Sequence, residues 1–154
     1  MSGITDLLSV HPVLQGLAPA FLNHIAECAH QREIPAGTQI LTEGDTASHF
    51  FLIRTGKVAL QTSSPSTKVE TFQTLGGSDF IGVSWLAPPY RLAFDAVAMT
   101  DVSAIMFDAR CLRAKCENDH ALGYALMQVF VPAIIERLKC ARLKALDLYA
   151  VTNP

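Results

Sequence analysis

Residues 37–58 read GTQILTEGDTASHFFLIRTGKV, which contains two apolar runs of strand length separated by turn residues. The first run, 38–42, ends before a turn that holds Gly44, and the second, 49–54, ends before a turn that holds Gly56. Glycine at such turns accepts a positive φ, which other residues rarely adopt. The segment therefore predicts β-strands joined by tight turns.

Further strand-length runs extend this pattern on both sides. Apolar and β-branched runs alternate with turn residues about every 8–12 positions, which is typical of an all-β sandwich or barrel. Besides the two runs above, the predicted strands are 33–34, 58–62, 69–75, 92–98 and 102–107, with a polar loop at 63–67.

Helical patterns flank the β region. Residues 4–31 carry apolar side chains at helical spacing, Asp108 is suited to cap a short helix, and a long helix is predicted from Asp119 onward. We therefore expect a mainly β protein with flanking helices. We expect residues 1–118 to form the β unit with its N-terminal helices and a short hinge helix, and 119–150 to form the long C-terminal helix.

The long helix carries one apolar stripe whose members are three or four residues apart. They are Gly123, Met127, Phe130, Ile134, Leu138, Ala141, Ala145 and Leu148. The last turns lie about 30 Å from the helix start at 1.5 Å per residue, beyond the expected edge of the β unit. An exposed apolar stripe is a liability in a monomer, so the sequence predicts a homodimer joined through this helix. The alternative is a helix that folds back on its own domain at Pro132.

Composition and charge exclude several classes of protein. The 154 residues are 50% hydrophobic and 17% charged, which indicates one folded domain with a core. The net charge is −2, whereas a nucleic-acid binder usually has a basic excess. Four basic residues of the long helix are interpreted as a solvated face, and no direct DNA binding is expected. They are Arg137, Lys139, Arg142 and Lys144.

The N-terminus lacks the pattern of a secretory signal. The longest uncharged apolar stretch, 121–135, is shorter than the roughly 20 residues that span a bilayer. We therefore expect a cytoplasmic protein that does not enter a membrane. The four cysteines, Cys28, Cys111, Cys116 and Cys140, have no paired spacing, and reduced thiols are predicted. A thiol sensor on the helices remains the alternative.

The sequence contains none of the common catalytic motifs. No Walker loop, GxGxxG or HExxH occurs, and the run from Gly82 through Ser84 to Leu86 lacks the second glycine of a nucleophile elbow. A cupin-like metal enzyme is the enzymatic alternative, but only His49 among the histidines lies in a predicted strand. We expect neither a catalytic residue nor a metal site.

The arrangement of glycines and strands resembles the cyclic nucleotide-binding domain family. The runs at 14–17, 37–45 and 51–58 carry the resemblance, which covers about 12–148. The family includes effector domains of catabolite-activator-type regulators, kinase regulatory subunits and gated channels. The resemblance implies an eight-stranded jelly roll, or β-roll, with a phosphate-binding cassette inserted between strands, here residues 77–93.

The resemblance also implies which cassette residues contact a ligand. They are Gly82, Val83, Ser84, Trp85, Tyr90, Arg91 and Leu92. Arg91 matches the family's phosphate-clamping arginine, and the backbone amides from Gly82 to Ser84 match the helix start that attracts a phosphate. Trp85 or Tyr90 would serve as a stacking wall.

Two cassette positions depart from the family pattern. Val83 stands where the family has its ribose-binding glutamate, and Leu92 stands where it has a small or hydroxyl residue. A ribose hydroxyl buried without a partner costs about 1–3 kcal/mol, so a nucleotide-like molecule or other small anion is expected instead of cyclic AMP. In the alternative interpretation Arg91 pairs with an acid such as Asp95, and Trp85 belongs to the core.

The sequence thus predicts a non-catalytic regulatory or sensor domain, homodimeric, with an unidentified protein partner. One alternative is a ligand-free dimeric interaction module. Another is the effector part of a transcription regulator that lacks its helix-turn-helix, because only seven residues follow Asp147.

Overall fold

The computed structural model describes residues 3–62 and 70–152, and the side chains of 70 and 144–152 lie outside that description. The predicted loop at 63–67 also lies outside it. The helices are α1 (Ile4–Val10), α2 (Pro19–Ala26), α3 (Ala109–Asn118) and α4 (His120–Thr152). The strands are β1 (Ala29–Ile34), β2 (Gln39–Leu41), β3 (His49–Thr55), β4 (Val58–Thr62), β5 (Glu70–Leu75), β6 (Phe80–Ile81), β7 (Asp95–Ala98) and β8 (Val102–Asp108).

Among the described residues the strands form two antiparallel sheets of four. Their orders are β1-β8-β3-β6 and β2-β7-β4-β5. Side chains from both sheets fill the core, including the fully buried Leu52, Leu60 and Ile105. The predicted β-roll with N-terminal helices and a long C-terminal helix is confirmed.

The prediction fails at two places, one near the N-terminus and one in the cassette. The helical region predicted at 4–31 ends at Ala26, and Ala29 already begins β1, which pairs with β8. The middle of β1 is exposed on both faces, so it shows no alternation of apolar residues. The strand β6 has only two residues, too few for a periodic pattern, and was not predicted.

The predicted start of the C-terminal helices is confirmed in detail. The Asp108 carboxylate accepts a hydrogen bond of 3.0 Å from the backbone N–H of Cys111, which caps α3. The Asp119 carboxylate accepts bonds from the N–H groups of Ala121 and Leu122 at 3.1 and 3.2 Å, at the start of α4. Short polar side chains placed directly before helices thus fix both starts.

The apolar stripe predicted on α4 divides between two faces. Leu122, Leu126 and Phe130 are at most 1% exposed and cover the core. A second set points outward: Tyr124, Met127, Val131, Ile135 and Leu138. The predicted stripe joined members of both sets, and its last members, Ala145 and Leu148, lie outside the described side chains.

One segment of the described residues, His120–Leu143 of α4, is long and apolar enough to cross a membrane by length and composition alone, with a mean hydropathy of 1.3. The sequence criterion of an uncharged apolar stretch found only 121–135 and therefore did not identify this longer segment. The indication is weak, because helices that cover a protein core meet the same criteria. One face of this segment packs into the core, as described above.

The prediction of four reduced thiols is wrong for two of them. Cys28 and Cys111, 83 positions apart in sequence, form a disulfide with a Cα–Cα distance of 5.7 Å. Cys116 is a half-buried free thiol and Cys140 is an exposed one. Burial raises the pKa of the Cys116 thiol, and two nearby carboxylates raise it further.

Candidate functional site

The predicted cassette, residues 77–93, contains a glycine that no other residue could replace without strain. Gly82 has a φ of +91° and begins a single 3-10 turn over Val83–Leu86. A Cβ at this position would lie 2.9 Å from the His49 carbonyl oxygen and 3.3 Å from the Phe50 Cα. The turn therefore packs directly on β3. Val83 and Ser84 are half-buried in it.

The end of the cassette is tied to the loop at 44–47 by backbone hydrogen bonds. The Tyr90 carbonyl accepts from the N–H of Ala47 at 2.7 Å. Leu92 donates to the Asp45 carbonyl at 2.8 Å and accepts from the N–H of Gly44 at 2.9 Å. The Leu92 side chain is buried. We call this edge, formed by Arg91 and Leu92 against 44–47, the loop side of the cassette.

Arg91 lies on the surface of the loop side. One guanidinium N–H donates to the Gly44 carbonyl at 3.2 Å, and the side chain is exposed. Asp95, its suggested partner, instead accepts from the backbone N–H of Glu43 at 2.7 Å. Because a guanidinium carries five N–H donors, Arg91 has donors left for an anion.

Trp85 occupies the core. Its side chain is 1% exposed, and its ring centroid lies 6.0 Å from that of Phe50. Among the described residues, the Trp85 Nε1 is the one buried side-chain polar atom without a hydrogen-bond partner. This placement agrees with the interpretation of Trp85 as a core residue.

An arginine of α3 contacts the opposite edge of the cassette. Arg113 donates to the Trp85 carbonyl at 3.3 Å, and its Cζ lies 4.3 Å from the centroid of the Tyr90 ring. Such a position over an aromatic face is a cation–π contact. Tyr90 has a φ of +58°, a conformation that a non-glycine residue rarely adopts.

An arginine of α4 contacts β6, the short strand within the cassette. Arg137 donates to the Phe80 carbonyl at 2.5 Å, and its Cζ lies 4.1 Å from the Phe80 ring centroid. Its side chain is only 14% exposed, so the interpretation of Arg137 as part of a solvated face is wrong. Burial lowers the pKa of Arg137, and Asp79, at 3.9 Å, opposes that shift. We call the edge formed by Phe80, Trp85 and Tyr90 the helix side of the cassette.

A cavity of about 310 Å³ lies between the helix side and the two C-terminal helices. Trp85, Tyr90 and Arg113 line it, together with Met127. Its volume is at the lower end of the range for small-molecule sites.

A second cavity, of about 320 Å³, lies on the loop side. Leu92 contributes to its wall, and the 40–51 segment supplies polar groups from Thr42, Asp45 and His49. Of the predicted ligand contacts, Trp85 and Tyr90 line the first cavity and Leu92 lines the second, whereas Arg91 and residues 82–84 line neither of the two. Across residues 3–62 and 70–152, no three histidine, cysteine or carboxylate side chains gather in a group that could hold a metal ion.

Comparison with known proteins assigns the fold to a family. A model of the cyclic nucleotide-binding domain matches residues 31–119, which include the cassette and all strands from β2 to β8. The chain belongs to the cyclic nucleotide-binding domain family. The resemblance that the sequence suggested is thereby confirmed.

Individual relatives of this cyclic nucleotide-binding domain are regulators. A CRP-like cAMP-activated global transcriptional regulator of Mycobacterium tuberculosis is 22% identical over 124 residues, 80% of this chain and 55% of the regulator. A cAMP-dependent protein kinase regulatory subunit of Neurospora crassa is 29% identical over 91 residues, 59% of this chain and 23% of the subunit. The chain spans about half the length of the first relative and a quarter of the second.

A solved structure of a candidate cyclic nucleotide-binding protein from Geobacter metallireducens is also similar. Its TM-score is 0.79 at 29% identity, and the match covers 90% of this chain and 99% of that one. The relatives are regulatory proteins, and no enzyme family is indicated.

Sequence reasoning placed ligand contacts on the cassette but missed the arginines that hold it. Arg113 and Arg137 both belong to the basic C-terminal part of the chain, where 110–154 has a net charge of +3. That excess marks a basic region, but spacing along a helix does not show which arginines turn inward. The polar residues of the 40–51 segment were not predicted as ligand contacts: the pattern assigned Thr42 and His49 to strands and Asp45 to a turn, and His49 was considered only as a metal ligand.

Proposed function

We propose that this chain is a non-catalytic sensor domain in which the cassette transmits ligand binding to the C-terminal helices. The observation that carries the proposal is the pair of arginine contacts on the helix side. Arg113 holds Trp85 and Tyr90 from α3, and Arg137 holds Phe80 from α4. A ligand that displaces the cassette would therefore pull on both helices.

The ligand that the cassette favours is a small anion or a nucleotide-like molecule. The exposed guanidinium of Arg91 and the amides of the 3-10 turn after Gly82 supply positive charge on the cassette. Val83 offers no acceptor for a ribose hydroxyl, and Leu92 is buried and apolar. We infer that cyclic AMP and cyclic GMP bind weakly.

Titration calorimetry of the purified chain with cyclic AMP, cyclic GMP and inorganic phosphate tests this inference. We expect no sub-micromolar affinity for either cyclic nucleotide. For any of the three that binds, Arg91→Ala lowers the affinity at least about tenfold, the loss expected for a hydrogen bond to a charged group. Arg32→Ala, an exposed arginine on β1, leaves it unchanged. Sub-micromolar binding of cyclic AMP contradicts the inferred specificity.

We also propose that the chain is a homodimer joined through α4. The outward set from Tyr124 to Leu138 repeats in steps of three and four residues, and its five members are 38–68% exposed. Two copies related by a two-fold axis would bury this set against itself, and isologous dimers are the commonest oligomers. The protein would then transmit a change in α4 to its partner copy.

Light scattering at tens of micromolar tests the dimer. The unchanged chain gives the mass of a dimer, and Leu138→Glu gives a folded monomer because only the seam is charged. Cys140→Glu adds the same charge two residues further on, about 200° around the helix, and remains dimeric. A monomeric unchanged chain contradicts the proposal.

A ligand-free dimeric interaction module is the second candidate function. It is favoured by the position of Arg91, which lines neither of the two cavities described on the cassette and already donates one N–H to the Gly44 carbonyl. In that case no nucleotide or phosphate shifts the melting temperature, although the dimer persists. A shift with any of the three probes argues for the sensor.

The likeness to a transcriptional regulator raises a third candidate, the effector part of such a regulator. We infer that these residues alone do not bind DNA specifically, because their net charge is −2. A mobility shift that depends on DNA sequence at physiological salt contradicts this. A cytoplasmic location is part of the same proposal, since both curated relatives are regulators of transcription or of a kinase.

A further inference from the structure

The disulfide lies at a junction between the N-terminal helices and the helix that contacts the cassette. Cys28 sits between α2 and β1, where its N–H donates to the Ile25 carbonyl at 2.9 Å. Cys111 lies in the first turn of α3. The bond between them therefore fastens α3 to the segment that connects α2 with β1.

The two sides of α3 have different attachments. Cys111 and Lys115, four residues apart, share one side of the helix, and Lys115 pairs with Glu27 at 2.7 Å beside the disulfide. Arg113 lies between them in sequence and on the other side, where it holds Trp85 and Tyr90. Glu27 is 68% exposed, and exposed ion pairs contribute little. The disulfide is thus the principal tie on the first side.

The backbone around the disulfide is held without the sulfur bond. The Cys28 carbonyl accepts from the N–H of Asp108 at 2.9 Å, and Ala29 pairs with Phe107 in the β1–β8 ladder. These contacts keep the end of β8 beside Cys28. Opening the disulfide therefore leaves the sheet intact and loosens one side of α3, because the exposed Lys115–Glu27 ion pair is then its tie to the N-terminal segment. The buried Leu112 still packs the helix on the core.

We propose that Cys28 and Cys111 form a reversible redox-modification site that controls how firmly α3 holds the cassette. The co-reactant is a low-molecular-weight disulfide such as oxidised glutathione. Disulfides in reducing compartments are usually transient and redox-sensing. This inference rests on the proposed sensor function, because it assigns a regulation to the same cassette.

The exchange proceeds from the accessible sulfur. Cys111 is half-buried and Cys28 is 2% exposed, so the Cys111 thiolate attacks the external disulfide and releases one reagent thiolate. The Cys28 thiolate then attacks the mixed disulfide at the Cys111 sulfur and releases the second. Two protein thiols become one disulfide, one external disulfide becomes two thiols, and the two protons pass to the reagent thiolates. Reduction is the reverse sequence.

Hydrogen exchange of the full chain, measured in millimolar oxidised and in millimolar reduced glutathione, tests the proposal. Alkylation and mass spectrometry give the state of each thiol in the same samples. We expect Cys28 and Cys111 to be blocked together in the oxidised buffer and alkylated together in the reduced one. Amide exchange in α3 and in the cassette rises on reduction by at least about fivefold, the sign of a local opening.

The variants separate the disulfide from general effects of the buffer. Cys111→Ser gives the faster exchange in both buffers, and Cys140→Ser responds as the unchanged chain does. Equal exchange in the two buffers, two thiols that stay blocked in the reduced buffer, or two that stay free in the oxidised one would each overturn the proposal. No ligand is present in this experiment, so its failure leaves the sensor function to be decided by the calorimetry.

Discussion

The two sides of the cassette are held by different kinds of contact. On the helix side, Phe80 and Trp85 are at most 2% exposed, and two arginines reach them from α3 and α4. On the loop side, backbone hydrogen bonds hold the chain while the Arg91 side chain stays exposed. Packing energy is therefore concentrated where the cassette meets the helices. The exposed ligand-contact position on the loop side, Arg91, is free to diverge without loss of the fold, whereas Leu92 beside it is buried.

The largest expected effect comes from removing the buried indole on the helix side. Trp85→Ala leaves a cavity beside Phe50, and we expect the free energy of unfolding to fall by about 3–5 kcal/mol. Urea denaturation followed by circular dichroism measures this, since Trp85 is the single tryptophan. Trp85→Phe is the control: it keeps most of the apolar volume and removes an N–H that has no partner among the described residues. A loss below 1 kcal/mol for the alanine variant, on the scale of surface substitutions, would show that the helix side is not packed as described.

The same two sides show how far sequence reasoning reached. The turns at Gly44 and Gly56, the strands around them and the caps at Asp108 and Asp119 are local features, and the structure confirms them. Whether a side chain of the cassette faces the core or the solvent depends on contacts with distant parts of the chain and not on the local sequence. Sequence spacing therefore could not separate a core residue at 85 from an exposed one at 91.

The features that sequence reasoning missed share a physical cause: each depends on a contact with a residue far away in the sequence. The strand β1 is recognisable only by its pairing with β8, because its exposed middle has no apolar alternation. The disulfide joins Cys28 to Cys111 across 83 positions. Arg137 is buried because α4 passes the Phe80 carbonyl at that turn, and the helical pattern around it is compatible with an exposed face.

The next largest loss of stability is expected from replacing Arg137, the arginine that joins α4 to β6. Arg137→Met keeps an unbranched apolar stem but loses the hydrogen bond to Phe80 and the contact over its ring. We expect the free energy of unfolding to fall by about 1.5–3 kcal/mol, as for a hydrogen bond to a charged group. Lys139→Met removes the same charge from an exposed position nearby and changes stability by about 0.5 kcal/mol or less. If the two variants lose the same stability, the loss of positive charge accounts for the effect, and the contacts of Arg137 with Phe80 add nothing to stability.

A smaller, pH-dependent effect on the free energy of unfolding is expected at His11, which lies between the two N-terminal helices α1 and α2. His11 is 4% exposed, its Nε2–H donates to the Ile53 carbonyl at 2.9 Å, and its Nδ1 accepts from the N–H of Val13. The same carbonyl accepts from Ser78, just ahead of β6. Burial lowers the pKa of His11, while the bond to Ile53 raises it in part.

The sign of this dependence follows from the lowered pKa. Protonation is favoured in the unfolded chain, so stability is complete above about pH 6.5 and declines as pH falls toward the pKa of the folded state. Urea denaturation at pH 7.5 and 5.0, in about equal salt, should show this decline in the unchanged chain and a smaller one in His11→Asn. His30→Asn, at an exposed position of β1, should retain the full decline. If stability falls between pH 7.5 and 5.0 by the same amount in His11→Asn as in the unchanged chain, His11 does not cause the decline.

The smallest expected effect is on the loop side and completes the comparison. Arg91→Ala removes one exposed hydrogen bond to the Gly44 carbonyl, while the backbone bridge between Arg91 and Thr46 does not depend on the side chain. The free energy of unfolding should change by about 0.5 kcal/mol or less. Arg113→Ala makes the same change of residue type on the helix side and should cost more, because it also loses the Tyr90 contact. If both variants lose the same stability, the Arg91 side chain contributes to the fold as much as Arg113 does, and the freedom of position 91 to diverge is refuted. If Arg91→Ala is neutral and still weakens anion binding, Arg91 serves recognition alone.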